Sequence, residues 1–186
     1  MTQDSDLKNT PFFKKMLADA DNMEKDRVQF NSKYKDFLAS DTGLTSIILR
    51  CHLIIEHFLD EYLISSYPSI KNWDKARLSF LQKLELADSP STVIHLIMPS
   101  LKCINIIRNK LAHNLEIGFE DLNLEPIHKF MSIWKTAGGY PIPKGMDLIT
   151  EFTIFASSTL NGSSKLIERH GKGKGLLGLQ DWYKEG

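Results

Sequence analysis

The chain has 186 residues, enough for one domain with its own core, and it balances 23 Lys and Arg against 23 Asp and Glu. A composition that is 42% hydrophobic and 25% charged predicts a globular soluble protein. Zero net charge excludes a strongly basic protein that coats nucleic acid in bulk, but not a small local basic site.

The first nine residues, 1–9, are polar and lack the basic start and apolar run of a signal peptide, so they are expected to be disordered. A single helical domain is expected over 10–162. Thr10 and Pro11 suit an N-cap and first helical position. Residues 12–38 then carry two apolar stripes, Phe13, Met16, Leu17 and Ala20 followed by Val28, Phe30, Tyr34, Phe37 and Leu38, with a break expected near Asp21-Asn22. After the turn Ser40-Asp41-Thr42-Gly43, the strongest helix runs from about Thr42 to Ser65. Its Leu44, Ile47, Ile48, Cys51, Ile55, Phe58, Leu59 and Tyr62 recur every three or four residues. Leu49, Leu53, Ile54 and Leu63 widen the stripe, which predicts a helix at the centre of a bundle.

Tyr67-Pro68-Ser69 ends that helix, and a shorter one is predicted from Trp73 to Ala87 with Ala76, Phe80, Leu81 and Leu84 inward. Another follows Asp88-Ser89-Pro90-Ser91 and runs from about Ser91 to Ala112, with Pro99 expected to kink it or mark a turn. Glu125-Pro126 opens a helix through Trp134, and 137–143, rich in Gly and Pro, is a loop. Asp147 to about Leu160 reads as a last long helix, although Phe152 to Phe155 would also suit a strand. The remainder, 163–186, reads as a flexible basic tail. The whole is an all-α up-and-down bundle with extra N-terminal helices. No stretch reaches the ~20 apolar residues of a membrane span.

The chemistry concentrates at the end of the 91–112 helix, in Ile107-Arg108-Asn109-Lys110-Leu111-Ala112-His113-Asn114. At ~100° per residue, Arg108 projects from the same stripe as Ile97, Leu101, Ile104 and Leu111. A fixed charge there needs an anion or a set of carbonyls. Asn105 and Asn109 lie on one flank, and His113 is one turn beyond Asn109. The internal partner expected for Arg108 is Glu56, a carboxylate set among leucines with His52 one turn before it and Asp60 one turn after.

Arg108-Asn109-Lys110-Leu111-Ala112-His113 resembles the arginine, polar residue, three residues, histidine motif of the HEPN superfamily. Ile54-Ile55-Glu56-His57, Ala76-Arg77-Leu78-Ser79-Phe80 and Ile107-Arg108-Asn109 also look like the mannitol operon repressor branch. The resemblance covers roughly 42–115 and implies a HEPN-like core over about 42–136. It further implies a metal-independent endoribonuclease of a toxin–antitoxin or phage-defence kind, with Arg108, Asn109 and His113 catalytic and Glu56, His52 and Asn105 in support. A homodimer acting on RNA and held in check by a cognate antitoxin would follow. The repressor branch instead implies a non-catalytic transcriptional regulator or protein-binding module of the same fold.

Other patterns are weaker. Neither cysteine, Cys51 or Cys103, belongs to a Cys-x-x-Cys pair, and both suit a reducing cytoplasm. The six histidines show no di-metal bundle pattern, and no cofactor is expected. His52 and Glu56, four residues apart, are more commonly a hydrogen-bonding pair than metal ligands. Gly171-Lys172-Gly173-Lys174-Gly175 lacks the strand and the Gly-Lys-Ser/Thr of a phosphate loop.

Overall fold

Helix α1, Leu44–Ser66, is built on Ile48, Cys51, Ile55, Leu59 and Tyr62, whose three- and four-residue spacing places them on one buried face. It is the centre of an all-α bundle in the computed structural model, which describes residues 43–88, 92–114 and 116–170 and the isolated positions 25, 28 and 29. The other helices are α2 (Phe80–Ala87), α3 (Val93–His113), α4 (Glu125–Gly138) and α5 (Met146–His170). Among the described residues there is no strand, and no helix is long and apolar enough to cross a membrane. The N-terminal helices expected over 12–38 and the start of the chain, 1–9, lie outside the described residues.

The buried face of α1, expected to be widened by Leu49, Leu53, Ile54 and Leu63, is corrected on one side. Ile54 and Leu63 are buried, but Leu49, Leu53 and Ile64 are exposed. Helices α2, α3 and α5 pack on the remaining sides of α1, so one stripe along it faces outward.

The most extensive packing is between α1 and α5. Thr153, Ala156, Ser157 and Ser164 are small and buried, and together with Phe152 and Leu160 they let the two helices approach closely. Ser65 Oγ and Ser164 Oγ share a hydrogen bond of 2.7 Å across this pair. That interface explains why the helix does not stop at 162: Ser164 bonds to Ser65 of α1, and Ser164 and Ile167 are both buried. Residues 163–170, expected in a flexible tail, are therefore helix. Positions 171–186 are outside the described residues.

The predicted helix over 73–87 divides in two. Trp73–Lys75 forms a single 3-10 turn, and Arg77 takes a left-handed backbone, φ 46°, which a β-carbon makes costly and which no helix continues through. Ser79 then starts α2 with a capping box: its side chain accepts from Gln82 N while Gln82 Oε1 accepts from Ser79 N at 2.9 Å. Phe80, Leu84 and Ala87 point inward, whereas Ala76 and Leu81, also expected inside, are exposed.

Thr92 caps α3, accepting from His95 N at 3.2 Å, and Pro99 sits on an exposed side of this helix without ending it. Two bonds tie α3 to the start of α4: Ser100 Oγ donates to Pro126 O at 3.0 Å and Cys103 Sγ to Asn123 O at 3.2 Å. The loop expected from 137 begins instead at Gly139, whose positive φ of 73° closes α4 in the manner of a C-terminal glycine.

Candidate functional site

Three helices bring polar side chains together beside the core. From α1 come His52, Glu56 and Asp60, at successive four-residue steps; from α2 comes Lys83; from α3 come Asn105 and Arg108. Lys83 Nζ donates to Glu56 Oε1 and to Asp60 Oδ2, each at 2.8 Å. This is where the expected partnership of Glu56 and Arg108 fails. The cation on Glu56 is Lys83, and among the described residues no carboxylate lies within ion-pair distance of Arg108. The physical reason is geometric. Phe80, Leu84 and Ala87 seat α2 against the bundle, and Lys83, on the same side of the helix, is carried to the carboxylates of α1. Burial works against the Lys83 charge, but Asp60 and Glu56 together hold its pKa above the ordinary lysine value.

His52 lies beside Glu56 and Phe80. Its ring is buried, with 5% of the residue exposed, and lies 4.3 Å from the Phe80 ring, centroid to centroid. Nδ1 is 3.7 Å from Glu56 Oε2, and Nε2 is buried with no hydrogen-bond partner among the described residues. Burial lowers its pKa below the ordinary histidine value. Glu56 and the Asn105 side chain oppose that, while Arg108 and Lys83 reinforce it. His52 is therefore a neutral imidazole near pH 7.

Arg108 is half-buried near the end of α3, as its place on the core stripe requires. Its Nη1 donates to Asn109 Oδ1 at 2.9 Å, which draws the guanidinium toward the flank that Asn109 shares with His113 at four-residue spacing. His113 itself is exposed in the last turn, followed by Asn114 as C-cap. No hydrogen bond orients its ring among the described residues. Lys110, also in that turn, donates to Asp121 O at 3.0 Å. Lys110 and His113 both complement the negative end of the helix dipole. The same dipole opposes an anion at this end, so any anion held here depends on the guanidinium.

Of the residues singled out from sequence, His52, Glu56, Asn105 and Arg108 form one neighbourhood, and Asn109 joins it through Arg108. His113 stands one turn away, open to water. Lys83 is the member the sequence reading missed. Its signal was present: two carboxylates four residues apart on an apolar helix require a cation, and Lys83 lies three residues from the inward Phe80. Among the described residues no group of three or more His, Cys, Asp or Glu is placed to hold a metal ion. No family model, curated protein or solved structure matches this chain. Function is therefore a matter of what this neighbourhood can do.

Proposed function

We propose that the chain is a HEPN-like endoribonuclease of the cytoplasm, working without a metal ion as a dimer in a toxin or defence setting, with Arg108, Asn109 and His113 as its catalytic residues. The observation that supports this is the half-buried guanidinium of Arg108, which has no carboxylate within ion-pair distance among the described residues and is bonded to Asn109, one turn before the exposed His113. A half-buried cation of this kind favours an anion beside it.

In this reading a phosphodiester of RNA supplies that anion. His113 takes the proton of the 2′-hydroxyl as its oxygen attacks phosphorus. The 2′-oxygen–phosphorus bond forms and the bond to the 5′-oxygen breaks, leaving a 2′,3′-cyclic phosphate and a 5′-hydroxyl. The departing 5′-oxygen takes its proton from the His113 of a second subunit. Arg108 stabilises the charge that gathers on the five-coordinate phosphorus, and Asn109 holds the guanidinium in place. An antitoxin covering the open His113 side would silence the site.

The test is incubation of purified protein with RNA in a chelator, beside His113→Ala and Arg108→Ala. Cleavage by the unaltered chain alone supports the reading. Cleavage that persists in His113→Ala, or is absent throughout, refutes it.

A second reading, a non-catalytic regulatory or protein-binding module of the same fold, is favoured by one observation. Nothing among the described residues orients the His113 ring, and a histidine in the last turn of a helix has an ordinary role in complementing the dipole.

A further inference from the structure

Beyond His113 the chain turns back along α3 and is tied to it at three places. Ser100 Oγ donates to Pro126 O at 3.0 Å, Cys103 Sγ to Asn123 O at 3.2 Å, and Lys110 Nζ to Asp121 O at 3.0 Å. The first two ties lie beside the start of α4, and the third is the one nearest His113. Gly118 N donates to Asp121 Oδ2 at 2.9 Å and Asp121 N to Gly118 O at 3.2 Å, closing the 3-10 turn Phe119–Asp121 that presents the Asp121 carbonyl to Lys110. Ile117, Phe119 and Leu122 seat this segment partly against the core. At its beginning, Asn114 N donates to Lys110 O at 3.1 Å, and Asn114 Oδ1 accepts from Glu116 N at 3.0 Å. Lys110 and His113 are three residues apart, so their side chains are neighbours on one side of α3. Among the described residues no carboxylate lies within ion-pair distance of Lys110, which leaves the Asp121 carbonyl as the contact that fixes it.

We propose that Lys110 is a positioning residue: it clasps the returning segment at Asp121 and thereby fixes the surroundings in which His113 meets an RNA phosphodiester. This rests on the reading of His113 as the acid–base group. No hydrogen bond orients the His113 ring among the described residues, so its setting comes from what is packed around the end of α3. The segment carries three exposed carboxylates, Glu116, Glu120 and Asp121, which oppose a phosphate on their side. With the clasp closed, those charges are held in one place. With it open, the turn is released at the end nearest His113, while the ties at Cys103 and Ser100 still hold the other end. Lys110 thus acts on the imidazole through the segment, and not through a contact of its own with the phosphate.

The experiment records the His113 ring signal by NMR, together with kcat and KM on RNA in a chelator, for the full chain and for Lys110→Met, Lys110→Arg, Asp121→Ala and Asp121→Asn. Circular dichroism confirms that each variant is folded. Lys110→Met breaks the clasp directly, and Asp121→Ala breaks the Gly118 bond that shapes the turn. One removes a positive charge and the other a negative one, so a purely electrostatic effect would displace the ring signal in opposite senses. The expected result is displacement in the same sense, with kcat lowered about tenfold and KM within about twofold of the unaltered chain. Lys110→Arg and Asp121→Asn keep the bonding groups, and both should retain the original signal and rate. Three outcomes overturn the inference: a ring signal unmoved in Lys110→Met, displacement in opposite senses, or a Lys110→Met effect confined to a higher KM with a flatter salt dependence, the mark of a phosphate contact. Absence of cleavage by the unaltered chain is a different result. It overturns the nuclease reading, while the ring signals still decide whether Lys110 sets the surroundings of His113.

Discussion

Replacing Lys83 and Arg108 singly and together separates a clamp from a bystander. Lys83→Met removes an ammonium bonded to two carboxylates at 2.8 Å while keeping most of the aliphatic stem. The Lys83–Glu56 pair has side chains 15% and 27% exposed, and for Lys83–Asp60 the figures are 15% and 44%. Screening at that exposure discounts the ~3–5 kcal/mol of breaking a fully buried pair, yet the site is drier than the ~0–1 kcal/mol of a surface pair. A loss of about 1.5 kcal/mol is expected, roughly 3–6 °C in melting temperature for a chain of this length. Arg108→Ala should cost less, about 0.5–1 kcal/mol, because no carboxylate depends on it. Because no carboxylate among the described residues pairs with Arg108, the two losses should add to within about 0.5 kcal/mol in the double variant. Urea unfolding followed by circular dichroism, read as a double-mutant cycle, makes the measurement. A double loss that departs from the sum by more than about 0.5 kcal/mol, or an Arg108→Ala loss larger than that of Lys83→Met, would refute the argument.

Three further outcomes follow from the same structure. Because the folded state holds the pKa of His52 below its ordinary value of 6.5, the unfolded chain binds the proton more readily. Its contribution is therefore fully present above about pH 6.5 and is lost as the pH falls toward the folded value; His52→Gln should flatten the difference between urea midpoints at about pH 7.5 and about pH 5, and an unchanged difference would discount His52 as the source. Burial pushes the thiols of Cys51 and Cys103 up to about 11, so neither should react with iodoacetamide at about pH 8 without prior unfolding, and rapid alkylation of the native chain would contradict their placement. Ile167→Ala should cost about 2 kcal/mol by urea unfolding if the end of α5 packs on α1 as described, whereas a loss under about 0.5 kcal/mol would mean that this end does not pack there.

The residues that were legible in sequence are those whose environment is set by their own helix. Ile48, Cys51, Ile55 and Leu59 declare a buried face through spacing alone, and Arg108 declares its half-burial by falling among Ile97, Leu101, Ile104 and Leu111. What was not legible depended on contacts between helices. Leu49 and Leu53 look like core until it is known which sides of α1 are covered. Asn161, Gly162 and Ser163 look like the beginning of a tail, but the buried Ser164 and Ile167 carry the helix through them. Glu56 announces its need for a cation without naming one. The choice of Lys83 over Arg108 was made by the capping box at Ser79 and the left-handed Arg77, which set where α2 begins and which of its faces meets α1.

The pairing of α1 with α5 also bears on how the chain reaches its fold. Ser65 and Ser164 touch across 99 positions of sequence, and they belong to the broadest helix interface of the bundle. Closing so long a loop costs entropy that nearer contacts repay only in part, which slows folding relative to bundles of neighbouring helices. On the ribosome, α1 emerges well before the helix that covers it, and Cys51, Ile55 and Leu59 stay solvent-exposed through most of synthesis. Chaperone capture of chains stalled before Met146 is the expected cellular trace of this order.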